Sequence, residues 1–163
     1  MPLDPSYVGR TYPPSAPYQV GREKIREFAT ALGATDSVYH DPEAARALGY
    51  PDVIAPPTFP VVVTAAASRR IIDDPGLGVD FSRVVHGDQR FAYRRPVVAG
   101  DELVCTSEIE EITSRGGHDF LTTRTEVATT AGELVVTVWS KLVVRGEPGQ
   151  EGREEGDAGR QRA

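Results

Sequence analysis

The chain has 163 residues, 39% hydrophobic and 26% charged, with a formal net charge of -6 and a pI near 5.1. That length suits one domain able to bury a core without disulfide or metal staples. The acidic balance argues against nucleic acid as a partner, because phosphate binding needs a basic face.

Cys105 is the only cysteine, which excludes an intrachain disulfide and a cysteine-based zinc cluster and fits a reducing, cytoplasmic setting. The first residues carry no basic and apolar leader, and no later run is apolar for long enough to cross a bilayer. A soluble protein without a membrane span is expected. No residue cluster implies a metal or redox cofactor, so none is expected.

Residues 1–15 hold four prolines among small polar residues and predict an extended, irregular arm. After a short strand at Tyr18-Gln19-Val20, residues 22–32 place Ile25, Phe28, Ala29 and Leu32 at helical spacing. Asp41-Pro42 opens a second short helix, continued by Ala44, Ala45, Ala47 and Leu48 and ended by Gly49. Residues 59–72, with Val61, Val62, Val63, Ala65, Ala66 and Ala67, are apolar on most sides and predict a central helix wrapped by protein. Thr58 is a reasonable side-chain cap for it.

From Val84 onward the period falls to two. Phe91 and Tyr93 alternate with Arg90 and Arg94, and Leu103, Cys105 and Ile109 with Thr106, Glu108 and Glu110. Runs at 120–128 and 134–144 are rich in Thr and Val, and Thr130-Ala131-Gly132-Glu133 between them predicts a hairpin turn. Residues 146–163 are rich in Gly, Glu and Arg without apolar periodicity and predict a disordered tail. Helices followed by a strand meander describe one α+β domain over 16–145, a curved antiparallel sheet around a long apolar helix.

The segment from Asp41 through Ala45, Gly49 and Ile54 to Pro56 resembles the hydratase motif of MaoC-like (R)-specific enoyl hydratases and hydroxyacyl dehydratases. Gln89 to Leu103 resembles the same family's strand and turn. Val20-Gly21-Arg22-Glu23-Lys24-Ile25-Arg26-Glu27-Phe28 is similar to the actinobacterial branch that holds the HadA-type and HadC-type dehydratase subunits. The resemblance implies a hot-dog fold of the FAS1-like dehydratase type and hydro-lyase chemistry on acyl thioesters.

Active relatives use an Asp and a His as general acid and base around one carbon pair. In the register set by Asp41, Ala45, Gly49 and Ile54, those positions hold Ala34 and Tyr39, and Asp36 takes the place of the family's Asn. Pro56-Pro57 stands where the family has His-Gly, whose glycine N–H binds the thioester carbonyl; proline offers no N–H. The resemblance therefore implies no catalytic residues in this chain. It points to a non-catalytic, acyl-binding subunit, inactive alone and paired with a catalytic hot-dog subunit.

A one-residue slip would instead bring in Asp36 and His40 as a fallback pair in a self-sufficient homodimer. Both readings stay open at this stage, as does a non-enzymatic acyl-thioester-binding module. On the family geometry Tyr39, Ile54, Thr58 and Phe59 would surround the mouth of the acyl pocket, and core packing accounts for Phe59 almost as well. Arg94, Arg95 and Lys141 could attract acyl carrier protein or the phosphates of CoA, or simply solvate a sheet face. His86-Gly87-Asp88 reads as a bulge or close-packing site more than as a substrate-facing cluster. His118 is expected in a hairpin loop with no function, and Trp139 could face either a partner or the helix.

Overall fold

The structure, a computed structural model, describes residues 2–146. The expected disordered tail beyond Gly146 lies outside the described residues. Three α-helices precede four long strands: α1 (Arg22–Ala31), α2 (Pro42–Ala47), α3 (Pro60–Ile72), then β2 (Val84–Tyr93), β3 (Glu102–Arg115), β4 (His118–Thr129) and β5 (Leu134–Val144). A two-residue strand, β1 (Tyr18–Gln19), completes one antiparallel sheet in the order β1-β3-β4-β5-β2. The sheet curls around one side of α3.

Local chemistry sets the helix ends. The Asp41 carboxylate accepts the Glu43 N–H at 2.9 Å, and Pro42 takes the first turn, where its missing N–H costs nothing. Gly49 then turns the chain at a φ of 92°, a region that penalises any Cβ. Helix α3 starts differently from the sequence expectation. Its first flanking residue is Phe59, no side chain caps it, and Thr58 is exposed, so Thr58 is not the cap. Pro60 at the first position removes one donor that a cap would have had to satisfy.

Alternation in the strands puts Leu103, Cys105, Ser107 and Ile109 of β3 on the concave, buried face. A bulge between Ile109 and Glu111 keeps Ile112 facing inward afterwards. The core forms two clusters. One joins Ile25, Phe59, Val63 and Ala67 to Cys105, Val127 and Val136; the other joins Ile71 and Leu77 to Ile109, Leu121 and Val144. Phe28 meets Phe59 edge to face at 5.4 Å between ring centres.

Helix α3 is covered on one side only. Val63, Thr64, Ala67 and Ile71 are buried, while Val61, Ala65 and Ala66 are exposed in the single chain. The expected curved sheet around a long apolar helix is found, with the helix covered on the sheet side.

The N-terminal arm is docked and not wholly extended: Pro5–Tyr7 forms a 3-10 turn, started by the Asp4 carboxylate accepting the Ser6 N–H at 2.9 Å. Leu3 and Tyr12 are buried, and Thr11 bridges Glu108. Its anchor is Asp74, just past α3, which accepts hydrogen bonds from Tyr12 Oη at 3.0 Å and Tyr7 Oη at 3.4 Å and faces Arg10 at 3.7 Å. Burial alone would raise the Asp74 pKa, but the Tyr12 hydroxyl, the Gly76 N–H and Arg10 together hold it below the usual carboxylate range. Burial, then the hydrogen bond to Asp74, push the Tyr12 phenol up to about 12.

The stability linked to the Tyr12 phenol is fully present below its ordinary pKa of 10.0 and is lost as pH rises toward about 12, because the unfolded chain ionises first. Replacing Tyr12 with Phe should cost about 1 kcal/mol at neutral pH. Denaturant melts across alkaline pH should show the gap between wild type and Tyr12→Phe closing through that window; a gap independent of pH would contradict it.

Candidate functional site

Between α3 and the concave face of the sheet runs a half-open groove of about 210 Å³. The helix contributes Val61, Ala65, Ser68 and Ile72, and β4 contributes Leu121, Thr123 and Thr125. From β5 come Val138, Ser140 and Leu142, and from β2 come His86 and Gln89. The surface presented is mainly carbon, including threonine methyls, with few polar atoms, which is the usual make-up of a small-molecule site.

Near the start of α3 lies a tightly held corner. The stretch leading into it is tied down by Ala55 N–H to Val97 O at 2.8 Å, Ala99 N–H to Val53 O at 3.0 Å and Ile54 N–H to Val38 O at 3.2 Å. Arg22 grips Asp52 through two hydrogen bonds, at 2.8 and 2.6 Å, which with the Val53 N–H and Arg46 lowers the Asp52 pKa. At the corner itself Tyr93 Oη donates to Pro57 O at 2.6 Å, and burial raises the phenol pKa far above its ordinary value. Sequence reasoning noted Tyr93 only as part of a strand's alternation; its contact joins residues 36 positions apart and has no local signature.

The resemblance sets Ala34 and Tyr39 at the dyad positions, and neither is an Asp or a His. Tyr39 is half-buried against the larger core cluster. The fallback pair is not assembled. Asp36 caps a short 3-10 turn, Ser37–Tyr39, by accepting the Val38 N–H at 3.1 Å. His40 Nε2 lies 2.8 Å from Ala34 O, and a carbonyl accepts only, so Nε2 carries the proton and the ring is held by its own loop. No hydrogen bond joins Asp36 to His40 among the described residues.

The residues expected around the pocket mouth are spread out. Phe59 is fully buried beneath the corner, Ile54 forms a bridge with Val98, and Thr58 faces outward; none of these, nor Tyr39, lines the groove. The expected cations are also dispersed. The Arg95 guanidinium is held by Asp101 at 2.8 and 3.0 Å and by Glu133 at 2.7 Å, joining the turn after β2 to the β4–β5 hairpin. Arg94 is exposed, with its N–H bonded to Val135 O. Lys141 stands on the convex face beside Asp88, Glu110 and Glu111, six residues along β5 from Val135, or roughly 20 Å.

His86-Gly87-Asp88 is a bulge, as its glycine suggested. A Cβ at Gly87 would meet Val143 Cγ2 at 3.1 Å and Lys141 O at 3.2 Å. The same bulge turns His86 into the groove. His118 is the first residue of β4, not a loop residue, and its Nδ1 accepts the Gly146 N–H at 3.0 Å. Trp139 lies on the convex face, away from α3, stacked under Arg90 at 4.1 Å and donating to Glu110 at 3.2 Å. Cys105 is buried, which pushes its thiol up to about 11 and makes it unreactive. Among the described residues no three His, Cys, Asp or Glu side chains are placed to hold a metal, and no helix is long and apolar enough to cross a membrane.

A curled antiparallel sheet against a single apolar helix, with a groove between them, is the hot-dog arrangement of MaoC-like dehydratases. The sequence matches the family described as FAS1-like, dehydratase domain region, over residues 6–138, and the chain belongs to that family. It is 62% identical over 145 residues to a UPF0336 protein of Streptomyces coelicolor, covering 89% of this chain and 97% of that one. Among solved structures it is similar to a MaoC-like dehydratase, with TM-score 0.80 and 35% identity, over 86% of this chain and 43% of the other. It is also similar to the C-terminally truncated HadBC (3R)-hydroxyacyl-ACP dehydratase complex of Mycobacterium tuberculosis, with TM-score 0.73 and 33% identity, over 82% of this chain and 92% of that one.

If Tyr93 braces the corner, Tyr93→Phe should lower stability by about 1 kcal/mol, the value of one hydrogen bond. Thermal melting of the two proteins checks this, and an unchanged midpoint would mean that the bond does not hold the corner.

Proposed function

We propose that this chain is the non-catalytic, acyl-binding subunit of a heteromeric (3R)-hydroxyacyl-thioester dehydratase. The observation that carries the proposal is a division within one domain. An apolar groove suited to an acyl chain lies beside α3, whereas in the register of the resemblance the acid and base positions hold Ala34 and Tyr39, and the nearby Asp36 and His40 are occupied by loop contacts. The corner that bears the thioester-binding N–H in the family begins with Pro56-Pro57. A partner of the same fold would supply Asp, His and the N–H donor, while this chain holds the alkyl part, each buried methylene contributing about 0.8 kcal/mol.

The partner's place is the margin formed by α3 and β2. β2 is an edge strand of ten residues, and such edges need covering. Val61, Phe81 and Val85 are exposed along it, at 37, 55 and 42%. The similar HadBC structure is a complex of a dehydratase, which supports a second hot-dog chain as occupant. The thioester end would sit at the Val61 end of the groove, beside the Pro57 corner. Of the three cations, Arg94 is the one free to meet acyl carrier protein or CoA near that end; Arg95 is engaged, and Lys141 is remote.

The purified chain should show negligible hydration of crotonyl-CoA or longer enoyl-CoA, and activity should appear on co-expression with a motif-bearing hot-dog partner. Turnover by the lone chain that His40→Ala abolishes would establish the self-sufficient homodimer in its place. Recovery of no hot-dog partner would favour an acyl-thioester-binding module. Introducing lysines with Val61→Lys and Val85→Lys should yield a folded monomer by circular dichroism and native mass spectrometry; an unchanged assembly would place the interface elsewhere.

A further inference from the structure

We propose that the convex face of the sheet carries a second site, separate from the groove, that takes a free α-amino acid as its zwitterion between Arg90, Lys141 and the carboxylates of Asp88, Glu110 and Glu111. These residues, with Trp139 and Thr122, line a half-open pocket on the side of the sheet away from α3. Strand alternation sets them there. Thr122 lies between the groove residues Leu121 and Thr123, and Trp139 and Lys141 flank the groove residue Ser140. Pairing places Glu111, Thr122, Lys141 and Asp88 in one row across β3, β4, β5 and β2.

Two observations point to a ligand. Thr122 is 8% exposed, and its Oγ1 is the one buried side-chain oxygen or nitrogen among the described residues without a hydrogen-bond partner. A valine would fill the same space without stranding a hydroxyl, so the oxygen costs stability until something bonds it. The second observation is a set of opposite charges that do not pair. Elsewhere Arg22–Asp52, Arg95–Asp101 and Arg69–Asp73 close to 2.6, 2.8 and 2.8 Å. Around this pocket no ion pair joins Arg90 or Lys141 to Asp88, Glu110 or Glu111 among the described residues. Two of the groups are nonetheless held in place. The Trp139 indole fixes one of each sign, with Arg90 over its face at 4.1 Å and Glu110 accepting its N–H at 3.2 Å.

The mixture of signs selects the ligand. A simple anion drawn to Arg90 and Lys141 would meet three carboxylates at short range, and a simple amine drawn to the carboxylates would meet both cations. The acids are not placed to hold a metal. A molecule with an ammonium and a carboxylate satisfies both sets at once. Its ammonium donates to the carboxylates, and its own carboxylate accepts from Arg90, Lys141 and the Thr122 hydroxyl. An α-amino acid is the simplest such molecule.

The test is calorimetric titration of the purified full chain with each of the standard amino acids, then with the methyl ester and the N-acetyl form of whichever binds. At least one amino acid should bind with a Kd of about 1 mM or tighter. Its ester keeps only the ammonium and its N-acetyl form only the carboxylate, and each should bind at least about tenfold more weakly. Lys141→Met should weaken binding of the amino acid about tenfold. Thr122→Val should do the same while raising the melting midpoint of the ligand-free protein, because it removes the stranded hydroxyl. The inference is overturned by any of four results: no amino acid binding below about 10 mM, a single-charge form that binds as well as its parent, unchanged binding in Lys141→Met, or a lowered midpoint in Thr122→Val. Because the pocket lies across the sheet from the groove, each of these leaves the acyl-binding reading standing.

Discussion

Helix α3 carries apolar residues around most of its circumference, and a five-stranded sheet covers only one side of it. That mismatch organises the molecule. The buried side, through Val63, Ala67 and Ile71, joins both core clusters and positions every strand. The other side, through Val61 and Ala65, forms the wall of a groove and an exposed apolar margin. A sheet able to close around the helix would have left neither. The groove and the unpaired β2 edge are two consequences of one geometric shortfall.

The elements were readable because their signals are local. Helical spacing placed α1, the Asp-Pro start and Gly end placed α2, and alternation placed β3 to β5 and their hairpin. What was not readable depends on distant contacts. Thr58 looks like a cap because it is a threonine before an apolar run, but Pro60 already removes one of the donors a cap would serve, and Thr58 points to solvent. The exposed side of α3 was invisible because composition records how apolar a helix is and not how much sheet there is to cover it.

The site divides along the same line. The resemblance alone sets Ala34, Tyr39 and Pro57 at the altered positions, and the loop contacts of Asp36 and His40, each bonded within the 34–40 segment, were not legible in the sequence. Arg95 reads in sequence as a surface cation but is an internal brace, since Asp101 and Glu133 come to it from elsewhere in the chain. Tyr93 gains its meaning only from a contact 36 positions away, with the Pro57 carbonyl.

The central claim, a domain that holds an acyl thioester without performing proton transfer on it, is tested most directly by isotope exchange. A hydratase cycling between enoyl and hydroxyacyl forms transfers solvent hydrogen to C2 at each turnover. Crotonyl-CoA incubated in D₂O with the purified chain alone should give no 3-hydroxybutyryl-CoA carrying deuterium at C2 above the protein-free control by mass spectrometry. Steady incorporation that scales with the concentration of the lone chain would contradict the account.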